Sequence, residues 1–208
     1  MLGLSSGLTS VSAPSSRVLL QTYTADWSSD VDGWTDYSGN DANFTFTRIS
    51  SFGGSDGAGG TVTKNNVLQV DVNANETGYS GFGKDIAFNL QKGDYVELTF
   101  SIYLDSTQGA GDRWNGSDDV RWGVSQIGGE LDHFDIEQNK WATISTVIGA
   151  TLTNATLSSD LQPEDLVIID TNDTILLYVY REEDRPLDGA RIYIADVVQK
   201  HYRSALFT

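Results

Sequence analysis

The stretch GDYVELTFSIYLDS, residues 93–106, decides the fold of this 208-residue chain. Its apolar side chains occupy every second position, and such alternation predicts a β-strand with one buried and one solvated face. An amphipathic helix would instead need apolar residues at three- and four-residue steps. The buried row of this strand requires a second sheet to cover it. That row consists of Val96, Leu98, Phe100, Ile102 and Leu104.

The rest of the chain has the spacing expected of the strands that surround this one. About ten short β-rich runs are separated by turn signals, and no stretch carries a long helical pattern. The content of 21 Gly and only 3 Pro suits short strands joined by glycine turns. We therefore predict an all-β sandwich over residues 17–208, preceded by a flexible N-terminal arm at residues 1–16.

The charge balance limits the classes of partner. The chain has 29 Asp and Glu against 13 Lys and Arg, a formal net charge of -16. Nucleic acid and anionic membranes both need a cationic surface, so neither is expected as the main partner. The acidic surface fits solubility, an outward-facing position in a crowded assembly, or cation binding. No run approaches the roughly 20 apolar residues that a membrane helix requires.

The absence of cysteine and of a secretory signal pattern favours the cytoplasm as the compartment of assembly. A chain without cysteine mildly favours assembly in a reducing cytoplasm. Residues 1–16 contain no Lys or Arg, so they lack the positive segment of a secretory signal.

No catalytic or phosphate-binding motif stands out. The run SFGGSDGAGG, residues 51–60, reads as a glycine-rich loop, but it lacks the GxxxxGK[ST] pattern of phosphate-binding loops. The chain has no Cys nucleophile, no GxSxG and no HExxH. The run DHFD, residues 132–135, places a histidine among carboxylates, where a solvated acidic loop is favoured over a metal site. We predict that the chain is not an enzyme.

Three segments resemble, in their order, the jelly-roll carbohydrate-binding modules. They are ADWSSDVDGWT (residues 25–35), GFGKDIAFNLQKGDYVELTFSIYLDS (residues 81–106) and GARIYIADVVQ (residues 189–199). Modules of this family begin with an aromatic-acidic segment ending in Gly-Trp, enter a central strand through Leu-x-x-Gly-x-x-Tyr and close with a strand ending in Asp-Asp-Val. The resemblance covers residues 18–200 and implies a jelly-roll fold of two antiparallel sheets, with sugar on a concave face or at loop tips.

The same resemblance implies a possible cofactor, a Ca²⁺ ion that joins the first and last strands. Asp26 and Asp196 would supply carboxylates, and backbone carbonyls would complete the shell of hard oxygen ligands. The chain departs from the family pattern, because Ala195 replaces a second acidic residue and Ser28 stands where the family often has Glu. The alternative is that Asp196 caps a neighbouring backbone group at a sheet edge.

Sugar binding needs exposed aromatic platforms for the apolar faces of pyranose rings. Trp114 in a polar loop and Tyr103 on the polar face of the opening strand are candidates, as are Tyr178 and Tyr180. The alternative is that these rings pack under loops or in a subunit interface. Three further tryptophans, at strand starts or on apolar rows, are predicted core residues: Trp34, Trp122 and Trp141.

The start MLGLSSGLTS, residues 1–10, is similar to that of structural proteins of tailed-phage virions. This similarity implies a capsid decoration (cement) protein or a tail or fibre-attachment protein that assembles with other virion proteins in the host cytoplasm, as a homo-oligomer. The alternative is a carbohydrate-binding module that adheres to a polysaccharide, for example an extracellular or host-surface glycan. The apolar residues of the arm that would contact a partner are Leu2, Leu4, Leu8 and Val11.

Overall fold

The structure, a computed structural model, describes residues 17–36, 44–73, 80–86, 94–105, 119–124, 132–135, 137–149, 173–180 and 189–204. The regular secondary structure within these ranges consists of β-strands. These ranges contain no helix that is long and apolar enough to cross a membrane. In chain order the strands are β1 (Arg17–Thr24), β2 (Thr35–Asp36), β3 (Phe44–Ser55), β4 (Thr61–Val72), β5 (Ser80–Ile86), β6 (Asp94–Asp105), β7 (Asp119–Val124), β8 (Asp132–Asp135), β9 (Trp141–Gly149), β10 (Asp173–Tyr180) and β11 (Arg191–Ser204).

The described strands pair into two antiparallel sheets. One has six strands in the order β3-β4-β11-β6-β9, with β1 also paired to β11, and the other has five in the order β2-β5-β10-β7-β8. The prediction of an all-β jelly-roll sandwich of two antiparallel sheets is therefore confirmed. The domain boundary at residue 17 and the N-terminal arm stay predictions, because residues 1–16 lie outside the described part of the chain.

Strand β6 lies in the middle of the six-stranded sheet, between β11 and β9, and its alternation is as predicted. One face of β6 is almost completely buried in the main core and the other carries the polar residues and Tyr103. The inward row, no member of which exceeds 1% exposure, is Val96, Leu98, Phe100, Ile102 and Leu104.

An aromatic group joins the two sheets. Phe82 of β5, in the five-stranded sheet, is fully buried and contacts Phe44 and Phe46 of β3, in the six-stranded sheet. The ring centroids lie 5.0 Å and 5.9 Å apart, in edge-on arrangements that aromatic pairs favour. Trp34 packs on the same Phe82 ring at 6.3 Å, so its predicted place in the core is confirmed.

The glycine-rich segment is not simply a loop. The prediction of a loop over residues 51–60 is wrong for its first half, since β3 continues to Ser55 and pairs with β4 as far as Thr61. Strand β4 pairs with β11 only over residues 68–71. Residues 51–66 therefore form a hairpin extension beyond the sheet, which we call the flap.

Candidate functional site

Three aromatic side chains lie in one row across the outer face of the six-stranded sheet. Tyr193 of β11 is directly opposite Tyr103 of β6, which is directly opposite Trp141 of β9. Residues directly opposite on antiparallel strands share a face, so these rings point away from the main core. Neighbouring strands are about 4.8 Å apart, so this aromatic row spans roughly 10 Å.

Charged side chains flank the aromatic row on one side. Asp71 of β4 is paired with Arg191 of β11, and the Arg191 side chain also hydrogen-bonds the Tyr193 hydroxyl. Asp105 follows Tyr103 on the same face of β6 and is buried. Burial raises the pKa of both tyrosine hydroxyls, so both phenols remain neutral well above physiological pH. This flank therefore supplies fixed charges and neutral hydroxyls to one edge of the row.

Hydroxyl groups flank the row on its other side. Ser101 of β6 lies opposite Thr143 of β9, with their oxygens 3.4 Å apart, and Thr99 lies opposite Ser145, with oxygens 3.1 Å apart. Thr143 and Ser145 are exposed to solvent. Hydroxyls both donate and accept hydrogen bonds, so this flank suits a ligand that itself carries many hydroxyls.

The flap folds over the aromatic row. The Phe52 ring stacks on Tyr193, with centroids 3.7 Å apart and planes at 12°, and it also meets Tyr103 and Trp141 edge-on. In a flat sheet β3 would be separated from β9 by three intervening strands, a distance far beyond side-chain contact. The hairpin must therefore curl back across the sheet, and it leaves the three rings of the row only 5–9% exposed.

Gly54 allows the flap to approach this closely. A Cβ at this position would lie 2.6 Å from Cε2 of Tyr103 and 2.9 Å from Nε1 of Trp141, closer than such atoms can come. Any side chain larger than hydrogen would therefore prevent the observed contact. The neighbouring Gly53 faces the other way, where a Cβ would meet Thr61 and Thr63 at ordinary distances.

Closure of the flap leaves one polar group unsatisfied. The indole Nε1 of Trp141 is buried and has no hydrogen-bond partner among the described residues. A buried donor without an acceptor costs about 1–3 kcal/mol. The site therefore holds a hydrogen-bond donor, aimed towards Gly54, that an added hydroxyl group would satisfy.

An ion pair ties the flap to the sheet. Lys64 of β4 donates to Oδ2 of Asp196 at 2.6 Å, and Ser101 donates to the same oxygen at 3.2 Å. Asp196 lies at a break in the register between β11 and β6, and its φ of 55° is a left-handed conformation. The side chain of Asp196 is 54% exposed, so water screens this ion pair.

The two residues expected to bind calcium have other partners here. The backbone bond from Ala25 N to Val197 O brings the chain positions of Asp26 and Asp196 side by side. Asp26 caps its own turn by accepting from the Ser28 amide at 3.0 Å, whereas Asp196 accepts from Lys64. No trio of acidic or histidine side chains comes together as a metal site within the described ranges. Calcium binding at this pair stays a prediction.

A lysine holds together the segment that follows β1. Nζ of Lys84, on β5, lies 2.5 Å from Oδ1 of Asp32 and also donates to the Asp32 backbone carbonyl. Tyr23 donates to the other oxygen of that carboxylate at 2.6 Å. Burial raises the pKa of Asp32, but the hydrogen bonds from Lys84, Tyr23 and the Asp26 amide outweigh burial and hold it below its usual range. The Asp32 carboxylate thus links Lys84 of the five-stranded sheet to Tyr23 of the six-stranded sheet.

Among the described residues, a buried carboxylate lies at the start of β6. Asp94 accepts two hydrogen bonds from Arg203, at 2.8 Å and 2.9 Å, and its Oδ2 lies 2.7 Å from Nε2 of His201. The side chains of Asp94 and His201 are 1% and 2% exposed. His201 is thus a packed structural residue of the sandwich interior, where no solvent reaches it.

Of the four residues predicted to bind sugar, the structure places one in the aromatic row. Tyr103 lies in the aromatic row, as its position on the polar face of β6 suggested, but it is covered by the flap. Tyr178 and Tyr180 lie on β10, in the middle of the five-stranded sheet, and only their backbone is described. Trp114 falls in residues 106–118, outside the described ranges. As binding residues, all four stay predictions.

Three residues of the site were not predicted from the sequence. The alternation in residues 190–195 already places Tyr193 opposite to Ile192 and Ile194, and that signal could have identified it. Trp141, predicted to be core, is indeed buried, but on the outer face beneath the flap. Phe52 has no local signal, since it precedes two glycines and its contacts are all distant in sequence.

Solved structures similar to this chain include carbohydrate-binding modules and a phage tailspike. The CBM22-1 xylan-binding domain of Xyn10C from Paenibacillus barcinonensis has 13% identity and a TM-score of 0.47, over 93% of this chain and 100% of that one. The family 11 module from Clostridium thermocellum has 15% identity and a TM-score of 0.45, over 88% and 96%. The enzymatically active domain of bacteriophage CBA120 tailspike protein 4 has 14% identity and a TM-score of 0.42, over 84% of this chain and 20% of that one.

No family model matches the chain, and no curated protein matches it.

Proposed function

We propose that this chain is a non-enzymatic carbohydrate-binding module that uses the outer face of its six-stranded sheet. The observation that carries this proposal is the aromatic row Tyr193–Tyr103–Trp141, with charged groups along one side and hydroxyls along the other. Pyranose rings present apolar faces for stacking and hydroxyls for hydrogen bonds, which matches these groups. The row is long enough for an oligosaccharide rather than a single sugar.

The charges favour a neutral glycan. Asp71 and Asp105 flank the row, and the whole chain has a net charge of -16. An anionic sugar would be repelled by these carboxylates and by the long-range field of the chain. Three neutral oligosaccharides make suitable probes because they are the ligands in solved structures that contain modules of similar fold: xylohexaose, a β-1,3-1,4-mixed-linked tetrasaccharide and β-1,4-galactotriose.

Replacing Tyr193 by Ala is expected to weaken glycan binding about tenfold, because an aromatic contact contributes up to about 1.5 kcal/mol. Tyr193→Phe keeps the ring and removes only the hydroxyl, so it is the matched control and should bind more tightly than Tyr193→Ala. Isothermal titration calorimetry with the three probes measures both variants, and circular dichroism verifies their folding. Because Tyr193 also stacks on Phe52 of the flap, both chains are compared with Gly54→Ala added, which prevents this cover. Equal affinities in that background would place the glycan elsewhere, for example at the predicted platform Trp114.

A second candidate function is assembly with other subunits of a tailed-phage virion. It is supported by Val18, Leu19 and Leu20, which are 42%, 50% and 44% exposed on β1. Three exposed apolar residues on an edge strand favour contact with another chain. These residues directly follow the predicted N-terminal arm, so arm and strand would form one continuous contact surface.

Deleting residues 1–16 is expected to convert a defined oligomer into a smaller species if the arm mediates assembly. Light scattering behind a sizing column, applied to the full chain and to a version starting at Arg17, measures this. An identical oligomer in both cases would show that the arm makes no contribution. A monomer in both cases would count against self-assembly and leave carbohydrate binding as the better proposal.

A further inference from the structure

The flap is joined to the rest of the sheet only at its base. Strand β4 bonds to β11 over residues 68–71, whereas residues 51–55 and 61–65 pair only with each other among the described residues. A two-stranded hairpin without a third strand is marginally stable in water, so its position depends on side-chain contacts with the sheet below. Asn66, with a φ of 50°, lies where the flap leaves the sheet.

The contacts that keep the flap in place are made by side chains. Phe52 and Val62 pack on the aromatic row, and Lys64 forms a screened ion pair with Asp196. The stacked geometry of Phe52, with its plane nearly parallel to Tyr193 at 3.7 Å, is the geometry in which an apolar sugar face packs on an aromatic ring. Phe52 therefore occupies the position that a ligand would take.

The unsatisfied indole group points to the same conclusion. Nε1 of Trp141 is held under Gly54 without an acceptor among the residues the structure describes. The closed flap excludes water from this donor, and no described residue of the flap supplies an acceptor in its place. A glycan hydroxyl, or water admitted by an open flap, would accept this hydrogen bond, so the closed arrangement is poised to be displaced.

We propose that the flap is a hinged cover that shields the aromatic row in the unliganded protein and moves off it to admit a neutral glycan. This inference rests on the proposed function for the identity of the ligand. Closure and glycan binding compete for the same rings. A variant that cannot close is therefore expected to bind a glycan more tightly, and a variant that cannot open is expected not to bind it.

Gly54→Ala is the direct test, because its Cβ would overlap Tyr103 and Trp141 in the closed flap. Gly53→Ala is the matched control, since its Cβ would meet only ordinary contacts. Acrylamide quenching of Trp141 fluorescence, taken as the difference from each variant carrying Trp141→Phe, measures cover of the row without any glycan. Gly54→Ala is expected to raise this quenching severalfold and Gly53→Ala to leave it unchanged. Equal quenching in both, in chains with native circular dichroism, would overturn the inference.

A cross-linked variant gives the opposite perturbation and does not depend on the stability of Gly54→Ala. Lys64→Cys with Asp196→Cys in this cysteine-free chain allows a short bismaleimide to span the gap now bridged by the ion pair. The cross-linked protein should show lower Trp141 quenching than the same double variant left open. No difference between the two forms would show that the flap does not move.

Titration with xylohexaose, the mixed-linked tetrasaccharide and β-1,4-galactotriose separates the two proposals. If Gly54→Ala binds a probe at least tenfold more tightly than Gly53→Ala, and cross-linking abolishes binding, the cover controls glycan access. If quenching responds to both perturbations but no probe binds even to Gly54→Ala, the cover is supported and the proposed carbohydrate function fails. If a probe binds with equal affinity in every form, the carbohydrate function survives and the cover is overturned.

Discussion

Replacing Asp94 by Ala is expected to lower the free energy of unfolding by about 3 kcal/mol, because it removes a fully buried carboxylate whose partner Arg203 keeps 23% of its side-chain surface exposed. Asp94 is 1% exposed and accepts two hydrogen bonds from Arg203, while its Oδ2 lies within hydrogen-bond distance of His201. Without this carboxylate, Arg203 loses the acceptor of two hydrogen bonds and His201 loses a buried partner. Urea denaturation followed by tryptophan fluorescence measures the loss.

Asp196→Asn provides the control for this prediction, because Asn tolerates the left-handed backbone of Asp196 and removes only the charge. The Asp196 carboxylate is 54% exposed, and exposed pairs contribute only about 0–1 kcal/mol. We therefore expect Asp196→Asn to change stability far less than Asp94→Ala. Similar losses in the two variants would mean that burial does not determine the strength of these pairs.

Replacing Lys84 by Met is expected to lower the free energy of unfolding by about 2 kcal/mol. This loss is smaller than for a fully buried ion pair, because Lys84 and Asp32 each keep about a fifth of their side-chain surface exposed. Met retains much of the apolar length of lysine but removes the ammonium group, leaving Asp32 with Tyr23 as its remaining side-chain donor. The link from Lys84 through Asp32 to Tyr23 would be lost.

The pH dependence of stability supplies a second measurement of the same network. The pKa of Asp32 lies below its usual range in the folded chain, so its contribution is present above the unfolded value of about 3.9 and is lost as pH falls through the lower folded value. In Lys84→Met this acid-side loss should be smaller than in the parent chain. An unchanged slope of stability against pH below about 4 would contradict the assignment to Asp32.

The sequence predicted the strands better than it predicted their long-range contacts. Alternation in β6 correctly placed its apolar row inward and Tyr103 outward, because a strand's period of two is a local property. The cover over Tyr103 had no such signal. Lys64 reaches Asp196 across 132 residues of chain, and Lys84 reaches Asp32 across 52.

The glycines of residues 51–60 illustrate why the flap was missed. Glycine in a strand pattern signals either a turn or a close approach of backbone to another group, and sequence alone does not distinguish the two. Gly57 and Gly59, with φ of 77° and 95°, serve the turn. Gly54 instead meets the rings of Tyr103 and Trp141, two residues far away along the chain.

The middle of the six-stranded sheet has packed side chains on both of its faces. Ile102 and Ile194 press against the main core, while Tyr103 and Tyr193 press against the flap. Locally the molecule is therefore three layers thick, and the hydrogen bonds between β6 and β11 are shielded from water on both sides. Such a segment belongs to the last cooperative unit to open and exchange its amide hydrogens, whereas the flap belongs to the first. The rings that we assign to ligand recognition are thus attached to the part of the described chain that opens most slowly. Ligand recognition would require only the flap, the outermost of the three layers, to move.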